Sequence, residues 1–138
     1  MSTEQNKAVV RRFMTEVLAT GNIDLVDELL APDYMNRAYN TNREGFKPLL
    51  SAMRSAIPDL HFEIQELVAE GDAVVARFTG GGTNTGSLMG MPPTGKSFSA
   101  RGLTYYRLAN GKIVEDDPIT APDLMQVLGI QMPAPAGR

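Results

Sequence analysis

With no cysteine and a single histidine, His61, in 138 residues, this chain has few ways to do covalent or proton chemistry. Thiol nucleophiles, thiolate metal sites and disulfides are excluded, and a histidine-cluster metal site or a Ser-His-Asp triad would depend on His61 alone. His61 alternates with Leu60 and Phe62 and shares its side with Glu63 and Gln65, so it reads as an exposed side chain. Carboxylates, hydroxyls and amides remain. Among the carboxylates, Asp116 and Asp117 are adjacent, and since neighbours on a strand face opposite ways only one of the two can enter an interior without a bulge. A carboxyl group withdrawn from water has a raised pKa and becomes a useful general base. Tyr105 and Tyr106 alternate in the same way. One of the two should face inward, where its hydroxyl can meet a carbonyl; Arg101 and Arg107 share the side of Tyr105, which marks that side as the wetter or the intersubunit one.

Elements must hold these groups in place. Ser2 and Gln5 suit a capping box, and Val9, Val10, Phe13, Val17 and Leu18 recur at helical spacing up to Gly21, predicting a first helix. A short second helix opens at Asn22, carries Ile23, Val26, Leu29 and Leu30 on one side, and is stopped by Pro32. A third runs from about Gly45 to Ile57 and ends at Pro58. The period then changes to two. Residues 60–65 and 74–78 flank an Glu-Gly-Asp turn as a hairpin; a third strand fits residues 98–108, Ala-Asn-Gly at 109–111 turns the chain, and a fourth strand returns with Lys112 to Asp117. A last helical turn or two is expected over 121–129 and a loose tail over 131–138. Helices first and a strand meander second mean an α+β fold, with three N-terminal helices packed on a strongly curved antiparallel sheet that encloses a pocket.

Composition narrows the partners. A chain of this length, 43% apolar and 21% charged, fits one globular domain, here residues 1–130. No apolar run reaches the ~18 residues of a spanning helix, and the polar N-terminus lacks a signal-peptide pattern, which places the protein in the cytoplasm away from membranes. A net charge of -3 without a basic block argues against nucleic acid.

The segments LLAPDYMN, AIPDLHFEI, EGDAVVARF, GTNTGSLMGMPPTGK and NGKIVED stand in the order and spacing of the SnoaL-like polyketide cyclases, which the chain resembles over nearly its whole length. Those proteins share the NTF2-like, or ketosteroid-isomerase-like, cone. The resemblance implies a cofactor-free and metal-free cyclase or isomerase, acting on an apolar, carbonyl-bearing small molecule by intramolecular aldol cyclisation with an aspartate as acid/base. By register with the family that aspartate falls on Asp117, with Asp116 next in line. Leu88, Met89 and Met91 would then line or roof the cavity, held by Pro92 and Pro93. Asn84 and Thr104 stand where the family carries histidines and would contact the substrate with an amide and a hydroxyl, joined by Tyr34, Asn36 and Tyr106. The loss of those imidazoles keeps a second reading open, a small-molecule-binding protein without turnover. A homo-oligomer, dimer or tetramer, is implied as well.

Overall fold

The computed structural model describes residues 2–88 and 90–119; the expected helix at 121–129, the tail at 131–138 and Met89 lie outside the described residues. The capping box forms as the sequence predicts: the Ser2 hydroxyl accepts the Gln5 N–H at 3.1 Å and the Gln5 side chain accepts the Ser2 N–H at 2.8 Å. Helix α1 (Thr3–Arg12) then widens into a π-helical stretch, Phe13–Leu18, closed by the Ala19 N–H on the Met14 carbonyl. Phe13, Met14 and Val17 are buried along it. After a 3-10 turn, Ile23–Leu25, comes the short helix α2 (Val26–Leu29).

The chain passes directly into strand β1 (Leu30–Asn36), which the sequence reading did not foresee because Pro32 and Asp33 both disfavour strands. Pro32 is tolerated there since the pairing of β1 is irregular between Leu30 and Met35. Strand β2 (Thr41–Asn42) leads into α3 (Arg43–Ala56), whose N-terminus is capped by Asn42 accepting the Gly45 N–H at 2.8 Å. The helix starts two residues before the glycine expected to open it, and it accommodates Pro48 in its second turn.

Strands β3 (His61–Glu70), β4 (Ala73–Thr83), β5 (Ser97–Ala109) and β6 (Lys112–Pro118) form the expected meander. Asn110 and Gly111, both at positive φ, make the tight turn between β5 and β6. The six strands run in the order β2-β1-β6-β5-β4-β3. The sheet is mixed rather than purely antiparallel, because β1 runs parallel to β6. Hairpin connections enforce antiparallel pairing, whereas β1 and β6 are separated by the whole meander and are free to align. Among the described residues the sheet is not closed: β2 and β3 are its edges. Helix α1 packs on β3 and β4 and α3 on β1, so the helices cover one face. The main core lies between, with Val10, Phe13, Leu50, Val74, Tyr106 and Ile113 among its buried members. A smaller cluster of Ala56, Ile57, Leu60 and Leu88 sits beyond the end of α3. No helix among the described residues is long and apolar enough to cross a membrane.

Candidate active site

Three strands converge on one carboxyl group. Asp116 on β6 lies opposite Asn36 in the parallel pairing with β1 and opposite Tyr106 in the antiparallel pairing with β5. Tyr34 and Thr104 are two residues away from these partners on their own strands, hence on the same, helix-covered face. Asp117 pairs with Tyr105 and stays partly exposed. The sequence register favoured Asp117 as the pocket acid, and the structure places Asp116 inward instead. The cause is a bulge. Arg107 pairs with Glu115 but Leu108 with Ile113, so Val114 is an extra residue on β6; counting in twos from the buried Ile113 would bring Asp117 inside, and the extra residue hands that place to Asp116.

Around Asp116 the polar contacts are few and directed. The Tyr34 hydroxyl donates to Asp116 Oδ2 at 2.8 Å, and Asn36 Nδ2 lies 3.4 Å from Tyr34 Oη and 3.5 Å from the same Oδ2. Asn36 Oδ1 accepts the Tyr39 N–H at 3.0 Å. Asp116 retains 4% of its surface, Tyr34 none and Tyr106 1%, so bulk water scarcely solvates the carboxylate. The walls are aromatic. Phe46 meets the Tyr34 ring edge-on at 5.9 Å, Phe13 meets the Tyr106 ring at 6.1 Å, and Phe13 and Phe46 touch each other at 5.7 Å. Both phenylalanines were legible only as members of helical stripes, since nothing in a helical period says which core ring will abut a carboxyl.

Burial pushes the Asp116 carboxyl up to about 7; the Tyr34 hydrogen bond pulls it down in part, and the charge of Asp117 pushes it further up. Burial, with the neighbouring Asp116 charge, drives both Tyr34 and Tyr106 well above the ordinary phenol range, so each hydroxyl keeps its proton. A hydrogen bond from Thr104 opposes that rise at Tyr106. The arrangement is a carboxyl group poised near neutrality, flanked by neutral donors, in a water-poor setting. It suits removal of a proton from carbon beside a carbonyl.

The connector between β4 and β5 uses its residues differently from the sequence expectation. Asn84 is fully buried, and its amide is spent inside the protein: Nδ2 donates to the carbonyls of Ala56 and Gly86 at 3.0 and 2.9 Å, while Oδ1 accepts the N–H and hydroxyl of Thr94 at 2.8 and 3.0 Å. That leaves it no free donor for a ligand. The Gly86 N–H also bonds the Ala56 carbonyl at 3.1 Å, an approach only glycine permits, since a Cβ there would lie 2.0 Å from the Ser55 carbonyl oxygen. Leu88 and Met91 exchange two backbone hydrogen bonds, and both pack into the small cluster beyond α3, Leu88 buried and Met91 partly so. His61 is exposed, with Nδ1 3.0 Å from the Asp59 carbonyl oxygen. On the other face of the sheet an open groove of about 600 Å³ is lined by residues including Gln65, Arg77, Thr79, Arg101 and Leu103; it is separate from Asp116. Among the described residues no three His, Cys, Asp or Glu side chains gather to hold a metal ion.

Comparison with known proteins gives a consistent set of likenesses. The family model described as SnoaL-like polyketide cyclase matches residues 8–128. An aklanonic acid methyl ester cyclase of Streptomyces peucetius is 32% identical, covering 99% of this chain and 98% of its own length. A nogalonic acid methyl ester cyclase of Streptomyces nogalater is also 32% identical, over 72% of this chain and 79% of its own. Among solved structures, a candidate polyketide cyclase from Acidithiobacillus ferrooxidans superposes with a TM-score of 0.72 at 31% identity, covering 87% of this chain and 91% of that one.

Proposed function

The chain belongs to the SnoaL-like polyketide cyclase family, and on that premise we propose that it closes a ring in an apolar, carbonyl-bearing polyketide ester by intramolecular aldol chemistry, with Asp116 as acid/base and no metal or organic cofactor in the step. The observation that carries the reading is the buried Asp116 carboxyl, held near 7 by desolvation and supported by the Tyr34 hydroxyl. In its ionised form Asp116 takes a proton from the carbon beside a carbonyl, and the C–H electron pair passes into an enolate. That carbon attacks a second carbonyl of the same molecule, the new C–C bond closes the ring, and the resulting alkoxide recovers the proton from Asp116. Tyr106 and Thr104, on the same face, are the hydroxyls placed to steady the developing oxyanion.

Asp117 acts only through its charge, which raises Asp116 from the far side of the strand. Leu88 and Met91 pack with the end of α3 rather than beside Asp116, and Asn84 anchors that connector and makes no substrate contact. The protein works as a homodimer or tetramer through the outer face of the sheet, a reading supported by Val68, which is 56% exposed on β3.

Turnover of aklanonic acid methyl ester, the compound in the names of several relatives, is the test. The wild-type chain is expected to cyclise it and Asp116→Asn to lose at least a thousandfold in kcat, while Asp117→Asn retains most of the rate. Equal activity in wild type and Asp116→Asn contradicts the assignment. Tight binding without turnover by the wild type assigns the chain to ligand binding alone.

A further inference from the structure

The amide of Asn36 is not free to turn. Its Oδ1 accepts a backbone N–H, that of Tyr39, and since such a group can only donate, the amide oxygen must face Tyr39 and the nitrogen must face the carboxyl. That nitrogen lies 3.4 Å from Tyr34 Oη, to which it donates. With a donor already arriving at its oxygen, the single hydroxyl proton of Tyr34 is directed to the other neighbour, Asp116 Oδ2, at 2.8 Å. The chain therefore has one polarity: Tyr39 N–H to Asn36, Asn36 to Tyr34, Tyr34 to Oδ2. Both donors aim at the same carboxyl oxygen, for the Asn36 nitrogen is also 3.5 Å from Oδ2. A proton placed on Oδ2 would oppose the Tyr34 proton directly.

We propose that Asn36 is a positioning residue: by fixing the direction in which the Tyr34 hydroxyl donates, it reserves Oδ1 of Asp116 as the oxygen that accepts the substrate proton and returns it. The inference rests on the reading of Asp116 as acid/base, and it adds which atom carries the proton and which residue decides it. In the proton transfer the carboxylate gains the proton on Oδ1 and the C–H electron pair stays with the substrate as enolate; the same proton then goes from Oδ1 to the alkoxide. Oδ2 remains an acceptor throughout. Among the described residues the titratable groups around the carboxyl are Tyr34 from β1, Tyr106 from β5 and Asp117 on its own strand, and the rings packed on those two tyrosines from the helical layer, Phe13 and Phe46, do not titrate.

Infrared difference spectroscopy on the full chain reads the wiring without substrate. The C=O stretch of protonated Asp116 is isolated by subtracting spectra of Asp116→Asn at a pH below 6, and in the wild type it is expected at low frequency, because the carbonyl oxygen Oδ2 accepts the Tyr34 hydrogen bond. Tyr34→Phe and Asn36→Leu should each move the band upward, and Asn36→Leu should move it less in the Tyr34→Phe background than in the wild type, since Asn36 acts mainly through Tyr34 and its own bond to Oδ2 is the longer one. An unmoved band in Asn36→Leu, or an Asn36 effect that persists in full when Tyr34 is phenylalanine, overturns the proposal. Should Asn36→Leu not fold, proton NMR of the wild type decides: a slowly exchanging Tyr34 hydroxyl proton with a cross-peak to the Asn36 amide protons is expected, and its absence is contrary. These readouts stand apart from turnover. If Asp116→Asn stays active, the base assignment fails and the polarity of the chain can still be correct.

Discussion

Asp116 owes its character to burial, and burial has a thermodynamic consequence. A carboxyl that titrates near 3.9 when unfolded and near 7 when folded binds its proton more tightly in the native state. Its contribution is unaffected below pH 4, turns destabilising as pH rises from about 4 to about 7, and is fully developed above 7, with an upper size on the order of 4 kcal/mol. Asp116→Asn, which keeps an oxygen for the Tyr34 hydroxyl, is therefore expected to raise the melting temperature at pH 8, the gain shrinking toward zero at pH 4; thermal unfolding at the two values checks it. Tyr34→Phe removes the bond that favours the ionised form, so the Asp116 midpoint should rise by about one to two pH units, and the acid limb of the activity profile with it. A pH–rate series on the variant reads this. Likeness to the family located the acidic pair, and alternation said that one of Tyr105 and Tyr106 turns in, but neither told which aspartate does. A strand period resolves that only if no residue is inserted, and the bulge at Val114 leaves no compositional mark.

Single elements carry the site through their attachments. Asn84 ties the β4–β5 connector to the end of α3 through its Nδ2 bond to the Ala56 carbonyl and holds the connector together through Gly86 and Thr94; replacing it with alanine takes the side-chain partner from the Gly86 carbonyl and the Thr94 N–H and leaves the Ala56 carbonyl with the Gly86 N–H alone. Asn84→Ala is expected to cost about 2–4 kcal/mol in urea unfolding. Ser2→Ala, which dissolves the capping box at the start of α1, should cost only about 1 kcal/mol in the same assay. The contrast follows from exposure, since water replaces what Ser2 offers and cannot reach Asn84. Reading the connector from sequence located its apolar residues and their need for cover. It did not reveal that the cover is the end of α3, because Gly86 and Asn84 act through a backbone approach that is visible only once the chain is folded.

Among the described residues, helices on one face of a mixed sheet shield a single carboxyl, and no described helix packs on the opposite face. Sedimentation equilibrium is expected to give two or four times the chain's mass, and Val68→Arg on that opposite face to lower it; a wild-type monomer at micromolar concentration would count against assembly. The α+β class, the helical layer and the meander were legible because each rests on a period and a turn signal. Strand β1 was not, since its pairing with β6 joins segments about 80 residues apart and no local pattern encodes it, although that pairing brings Tyr34 and Asn36 to Asp116. The account turns on the ionisation of that one group. Carbon-detected NMR titration of aspartate-labelled protein, with the Asp116 carboxyl assigned through Asp116→Asn, measures it directly: a midpoint near 7 is predicted, and a midpoint near 4 would contradict the central claim.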